Sequence, residues 1–293
     1  NDNTPDITGT TDDHSATIEV TVAGQTYTAT NNGDGTWTLP GSAITTPIPD
    51  GASNPISVTA TDTAGNSGSA SATAAIDTAA PVPTIAVDAI TPDNVINAAE
   101  SGGNVDVTGT VAGEFSTGDT VTLTVNGTDY TGSVNAAGTF TIAVAGTDLK
   151  ADSNVHASVA TTDAAGNQGS AALDHGYTVD AGAPAVTVAS VALTNDNTPD
   201  ITGTTDDPNA AIQVTVAGQT YTATNNGDGT WTLPGSQLAA HPIPDGASNA
   251  ISVTATDAAG NTGSDSATAA VDTTPGTLSI DSVDNSLAVD AGS

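Results

Sequence analysis

Thr61-Asp62-Thr63-Ala64-Gly65-Asn66 is the stretch from which the fold can be read. It returns as Thr162-Asp163-Ala164-Ala165-Gly166-Asn167 and as Thr256-Asp257-Ala258-Ala259-Gly260-Asn261. Each copy follows an alternating apolar/polar run and precedes a second one. The second run ends in a single Asp and a Pro-containing linker: Asp77 before Pro81, Asp180 before Pro184, Asp272 before Pro275. A Gly/Asn turn between two runs of period two is a strand–loop–strand unit. Three copies in register imply three tandem repeats.

Working outward, residues 20–42 are identical to residues 214–236. Ile18, Val20 and Val22 alternate with polar residues, as in a half-buried strand. Asn31-Asn32-Gly33-Asp34-Gly35 is a turn, because Asn-Gly and Asp-Gly tolerate positive φ. Trp37 and Leu39 resume the alternation, and Ile56, Val58 and Ala60 point one way in the run before the loop. The middle repeat has diverged but keeps Gly138-Thr139-Phe140 where the first has Gly35-Thr36-Trp37. About seven short strands per repeat, with turns roughly every ten residues, is the signature of a sandwich. The sequence therefore predicts an all-β chain of immunoglobulin-like β-sandwich domains in an extended linear array. The domains are residues 1–79, 80–182 and 183–274, with 275–293 starting a fourth repeat. No helical period is apparent. The chain opens mid-pattern at Asn1-Asp2-Asn3, as a fragment of a longer protein would.

Composition narrows the function. Lys and Arg total 1 against 33 Asp and Glu, a net charge of −32. Nucleic acid and anionic membrane surfaces need clustered basic residues, so neither is a partner. So acidic a chain repels itself unless cations offset the charge. There is no Cys, hence no disulfide framework and no Cys-based zinc site. No apolar run approaches the ~18 residues of a membrane span. The chain is expected to be monomeric and extracellular, with its neighbouring repeats as partners.

The acids recur at loops. In an immunoglobulin-like sandwich the loop between the last two strands lies at the end where the chain enters. Asp62, Asp163 and Asp257 are expected there, meeting the linker Asp of the preceding repeat. The first joint would gather Asp77, Asp88, Asp93, Asp106 and Asp163, with Asn94, Glu100 and Asn167. The second would gather Asp180, Asp196, Asp200 and Asp257, with Asn197 and Asn261. Asp6 and Asp62, with Asp2 and Asn66, form an incomplete set. So do Asp272, Asp281 and Asp284. Converging carboxylates repel unless a cation joins them. Ca2+ accepts six to eight oxygens at flexible angles, backbone carbonyls included. A lone Asp-x-Ala-Gly-Asn is only a good turn; its recurrence beside a linker Asp and an Asp-Ile/Val-Thr-Gly strand start carries the calcium reading.

Other motifs carry less. Asn32-Gly33-Asp34-Gly35-Thr36-Trp37 lacks the acidic ladder and closing Glu of an EF-hand. Trp37, Trp231 and Phe140 share a repeat position and read as core. His14, His156, His175 and His241 share no repeat position. No nucleophile elbow or phosphate loop is present, so no enzyme is indicated.

The chain resembles the bacterial Ig-like domains of giant secreted adhesins of the repeats-in-toxin type. Asp93-Asn94-Val95-Ile96-Asn97-Ala98-Ala99-Glu100, the Thr-Asp-x-Ala-Gly-Asn loops, the Gly-Asp-Gly-Thr-Trp turns and the Val/Ile-Asp linkers carry the resemblance. It implies type I secretion to the bacterial surface. It also implies calcium at the linkers and a structural extender that projects a distal adhesive module in adhesion or biofilm formation. Two departures stand out. The glycine-rich nonapeptide calcium repeats are absent, and Ala189 stands where Asp88 and Asp281 are acidic. The alternative is that repeat faces bind carbohydrate or a cell-surface protein, which exposed aromatics would favour and this sequence scarcely offers.

Overall fold

The computed structural model describes residues 1–282; Asp284 and the other residues from 283 onward lie outside the described residues. Thr and Val recur through the strands, as suits pleated half-buried surfaces. Repeat 1 has strands Ile7–Thr10, Thr17–Val22, Gln25–Asn31, Thr36–Leu39, Gly51–Thr61 and Ser67–Ile76. The third of these joins two layers. Its start pairs with the second strand (Ile18↔Ala29, Val22↔Gln25), and its end pairs with the fourth (Asn31↔Trp37). One layer is closed by Ile7–Thr10 and the other by Ser67–Ile76.

Repeat 3 reproduces this order and has two further strands. Val186–Val188 pairs antiparallel with Ile201–Thr205, and Val191–Thr194 runs parallel to Thr262–Val271. Repeat 2 separates its layers. Pro83–Val87, Asn104–Gly113 and Thr139–Ala145 form one sheet, and four strands between Thr120 and Gly176 form the other. The sandwich architecture predicted from the sequence is therefore present. The helix Gly146–Ala151 was not predicted; it is too short to leave a period and is anchored by fully buried Leu149.

The chain divides into two compact units. The first contains residues 1–96 and 100–179; the second contains residues 97–99 and those from 180 onward. Alternate side chains fill the cores. In repeat 3, Ile212, Val214 and Val216 meet Ile251, Val253 and Ala255 around Trp231. In repeat 2 the middle is Val107, Leu123, Phe140 and Val159. Burying each such side chain contributes about 1.5–3 kcal/mol. Hairpin turns at Ala23-Gly24, Asn126-Gly127 and Ala217-Gly218 have φ positive at both central residues. Such turns match the right-handed twist of the paired strands. Among the described residues no helix is long and apolar enough to cross a membrane.

Candidate functional site

Each Thr-Asp-x-Ala-Gly-Asn loop is closed by its own Asp. Asp163 Oδ1 accepts the N–H of Ala165 and of Asn167 at 2.9 Å each, and its Oδ2 accepts Asn167 Nδ2 at 2.8 Å. Asp62 and Asp257 do the same with Asn66 and Asn261. The loop Gly has φ between 84° and 89° in all three copies, which only Gly adopts freely. These bonds hold the Asp62 and Asp163 carboxyls below the usual carboxylate range, with the Asn side chain the largest cause for each.

Two copies also receive a linker. In the first unit, Asn167 Nδ2 donates to the carbonyl of Asp77 at 3.0 Å. In the second, Asn261 Nδ2 donates to the carbonyl of Asp180 at 2.8 Å. Both Asn are buried, whereas Asn66 is exposed. Further along each linker, a carbonyl passes close over the strand Gly two residues past the loop Asn. A Cβ on Gly169 would lie 1.9 Å from Pro81 O, and one on Gly263 would lie 1.9 Å from Pro184 O. A carboxylate then takes the next amide: Glu114 accepts Val82 N at 3.0 Å, and Asp206 accepts Ala185 N at 2.7 Å.

A short segment grips each linked loop from the other side. Asn1 donates through its amino terminus to Ala165 O and through Nδ2 to Gly166 O. In the second unit, Asn97 Nδ2 donates to Ala259 O, and Asn261 Oδ1 accepts Ala98 N at 2.7 Å. Thus the joints are fastened by amides and backbone carbonyls.

The structure brings Asp77 to the Asp163 loop and Asp180 to the Asp257 loop, but it redistributes the remaining predicted residues. The strand Pro83–Val87 runs away from the Asp163 end of repeat 2, with Pro83 opposite Gly113 and Val87 opposite Gly109. The residues after Val87 therefore lie at the end opposite Asp163. Asn94 shows this, donating to Gly176 O beside the Asn154↔Gly176 pair, while Thr162↔Gln168 flanks the Asp163 loop. Asp88 there accepts Thr108 Oγ1, and Asp93 accepts Thr91 Oγ1 and Val95 N. Glu100 opens a short 3-10 turn at the same end, and Asp106 is exposed on the next strand. Neither joins Asp163.

The same rule applies elsewhere. Asp200 accepts Gly235 N and Asp6 accepts Gly41 N, each at 2.7 Å, tying a turn within its own repeat. Asp196 accepts Thr198 N, and the Asn197 carbonyl accepts Ile243 N. Asp272 accepts Thr274 N, and Asp281 accepts Ser279 Oγ. The Ala189 substitution is real in position, since Ala189 N donates to Thr202 O as Asp88 N donates to Thr108 O.

Asp50, Asp206 and Asp207, which sequence reasoning missed, line acidic clefts together with predicted residues. In the first unit, Asp2, Asp50 and Asp77 border a cleft beside Ala164 and Ala165. In the second, Asp180, Asp206, Asp207 and Asp257 border one of about 450 Å3. The Asp206-Asp207 pair recurs as Asp12-Asp13, a signal present in the sequence. The carboxylate and carbonyl oxygens of both clefts suit a hard cation, while the Asn1 amino terminus also borders the first. Among the described residues no three Asp, Glu or His side chains stand close enough to share one ion. An ion held in either cleft would draw on at most two of these carboxylates.

Comparison with known proteins identifies the family of the fold. The model of the bacterial Ig-like domain family matches residues 1–78 and 187–273. A structure bearing on host cell surface retention of a 1.5-MDa bacterial ice-binding adhesin is 33% identical, covering 91% of this chain and 90% of that one, with a TM-score of 0.60. A Ca2+-stabilized adhesin with which an Antarctic bacterium reaches out and binds ice is 34% identical over 91% of this chain and 68% of that one, with a TM-score of 0.63. A comparison with curated proteins finds no match. With sandwich repeats, linked loops and this likeness in hand, the chain belongs to the bacterial Ig-like domain family.

Proposed function

We propose that this chain is a structural, non-enzymatic extender segment of a bacterial surface adhesin, in which loop-to-linker joints set the repeats in line and calcium stiffens them. The observation that carries the proposal is the loop Asn. It is buried and bonded to a linker carbonyl at Asn167 and Asn261, and exposed at Asn66, where no linker meets it among the described residues. A residue whose partner comes from the linker acts at the joint.

Calcium rests on the donor chemistry and on the likeness to a Ca2+-stabilized adhesin. Carboxylates drawn from Asp77, Asp163, Asp2 and Asp50, no more than two to one ion, would supply oxygens at the first joint. Asp180 and Asp257, with Asp206 and Asp207, would supply them at the second. An ion bound there neutralises charge that otherwise favours splaying. In this reading the segment projects a distal adhesive module from the cell surface. Small-angle scattering with calcium and then with chelator tests it. The maximum dimension should hold in calcium and the flexibility should rise in chelator; identical curves would refute the calcium joint.

A further inference from the structure

The dipeptide Asn-Gly occurs three times, as Asn32-Gly33, Asn126-Gly127 and Asn226-Gly227. Asn is a chemically labile residue. Its side-chain carbonyl carbon can be attacked by the backbone nitrogen that follows, and Gly, having no Cβ, leaves that nitrogen unhindered. All three Asn are exposed, so access to water does not separate them. Their hydrogen bonds do.

In repeats 1 and 3 both reacting groups are held. Gly33 N donates to Asn31 Oδ1 at 3.2 Å, and Gly227 N donates to Asn225 Oδ1 at 3.1 Å. Those acceptors are themselves fixed. Asn31 Nδ2 donates to the carbonyls of Asp13 and Ala16, and Asn225 Nδ2 to those of Asp207 and Ala210. The reactive side chains are gripped as well. Asn32 Nδ2 donates to Thr36 Oγ1 at 2.8 Å and to Thr38 Oγ1 at 3.3 Å; Asn226 Nδ2 donates to Thr230 Oγ1 at 2.8 Å and to Thr232 Oγ1 at 3.4 Å. These bonds must break before the side chain can swing onto the backbone nitrogen.

Repeat 2 holds its Asn-Gly more loosely. Asn126-Gly127 is the tip of a hairpin closed by the Val125↔Thr128 pair, with φ of 50° and 74°. Gly127 N meets no acceptor among the described residues. Asn126 Nδ2 makes one bond, to Asp148 Oδ1 at 3.2 Å. The matching tips of repeats 1 and 3 are Ala23-Gly24 and Ala217-Gly218, which have no side-chain amide to react.

We propose that Asn126 is a self-modifying site, converting to an aspartyl or isoaspartyl residue in the folded chain while Asn32 and Asn226 stay intact. Gly127 N attacks Asn126 Cγ and gives up its proton to water. The bond from Cγ to the side-chain nitrogen breaks, and ammonia leaves. The resulting five-membered succinimide takes up one water, which opens it at either carbonyl. The amide that departs is the donor that tied the hairpin to Asp148, on the helix Gly146–Ala151. In the aspartyl form a carboxylate replaces it, beside Asp148 and near Asp152, which accepts Asn126 N at 2.8 Å. Like charges repel. In the isoaspartyl form the main chain gains a methylene, which a two-residue turn cannot absorb while keeping its register. The modification thus releases the helix from the hairpin, in repeat 2 alone.

The full chain is incubated in warm, mildly alkaline buffer and digested with pepsin, and its peptides are followed by mass spectrometry. Asn126 should convert several-fold faster than Asn32 and Asn226. In denaturant the three should convert at similar rates, since the dipeptide is the same. Equal rates in the folded chain, or the folded-state preference persisting in denaturant, would overturn the proposal. A Thr36→Val/Thr38→Val chain should convert Asn32 several-fold faster than the parent and leave the Asn126 rate unchanged; an unchanged Asn32 overturns the argument from restraint. The consequence is read in an Asn126→Asp chain. Hydrogen exchange over Gly146–Ala151 should be several-fold faster than in the parent, with the strands of repeat 3 unaltered. Parent-like exchange in the helix overturns its release. None of these readouts involves calcium or the joints, so failure here leaves the extender reading standing.

Discussion

Replacing Gly263 by Ala is the sharpest perturbation of a joint. The added methyl would lie 1.9 Å from Pro184 O and 3.1 Å from Pro184 C. Both neighbours are backbone, so no side chain can swing aside. The linker must retreat by about 1 Å or more, and overpacking of this kind costs about 1–3 kcal/mol. Retreat also stretches Ala185 N away from Asp206 and Asn261 Nδ2 away from the Asp180 carbonyl. For a domain of roughly 100 residues each kcal/mol moves the melting point by ~4–8 °C. The transition of repeat 3 should therefore fall by at least about 4 °C in calorimetry. Gly68 is the internal control, the same motif position with nothing within 4 Å of its Cβ. Gly68→Ala should stay within about 0.5 kcal/mol of the parent, or gain slightly from reduced freedom of the unfolded chain. If the two substitutions shift melting equally, linker contact at Gly263 does not determine the cost and the joint geometry is wrong.

Ala217 has φ 51° in a hairpin turn where Asn126 occupies the equivalent place in repeat 2. Ala217→Asn should stabilise repeat 3 by about 0.5–1 kcal/mol in urea unfolding, because Asn tolerates the left-handed region better. Asn167→Ala should lower the melting point more than Asn66→Ala, since only Asn167 bonds a linker; equal effects in calorimetry would count against the joint. Acid should destabilise the loops in a defined direction. The Asp163 carboxyl is held low chiefly by the Asn167 side chain, so its contribution is present above the unfolded value of ~3.9 and is lost as pH falls through the folded one. Melting points between pH 5 and pH 2 check this, and Asp163→Asn should flatten part of the slope.

Much of the fold was legible because its signals are local. Ile18-Glu19-Val20-Thr21-Val22 declares a strand by alternation, and the burial pattern follows it residue by residue. Asn-Gly and Asp-Gly declare turns by backbone chemistry alone. The site was legible only where the signal was a repeated loop and a linker Asp. Asp93, Asn94 and Glu100 were assigned to the end of repeat 2 that holds Asp163 because they come early in the repeat. Sequence order does not reveal that Pro83–Val87 leads the chain away from the Asp163 loop, so that Asn94 bonds Gly176 at the other end. Asn97, Glu114 and Asp206 act through partners 162, 32 and 21 positions away, and no periodicity marks such pairings. Gly169 and Gly263 carried a signal that was available: a Gly two residues past each loop Asn, inside a strand, marks a close backbone approach.

The way the carboxylates are used also sets how calcium should act. Asp163 and Asp62 already spend their oxygens on loop amides, with no surplus basic residue nearby in a chain holding one Lys or Arg. An ion sharing two carboxylates at most resembles the weak sites of extracellular modules, with dissociation constants of ~10⁻⁴–10⁻³ M. At millimolar concentration it would raise the melting point modestly. Screening of the −32 charge would raise it too, and any salt can screen, with a Debye length of ~8 Å at 0.15 M. The two causes separate in one titration. With 0.15 M NaCl present throughout, a few millimolar CaCl2 barely changes the ionic strength or the screening, so a further rise in melting point on adding it belongs to binding. That rise should shrink in Asp180→Asn and Asp257→Asn chains, whose side chains border the second cleft, and persist in Asp281→Asn, which lies in neither cleft. If sodium chloride alone reproduces the whole effect, or all three variants lose it equally, calcium acts as a general counterion and the joints stand on their amides and carbonyls.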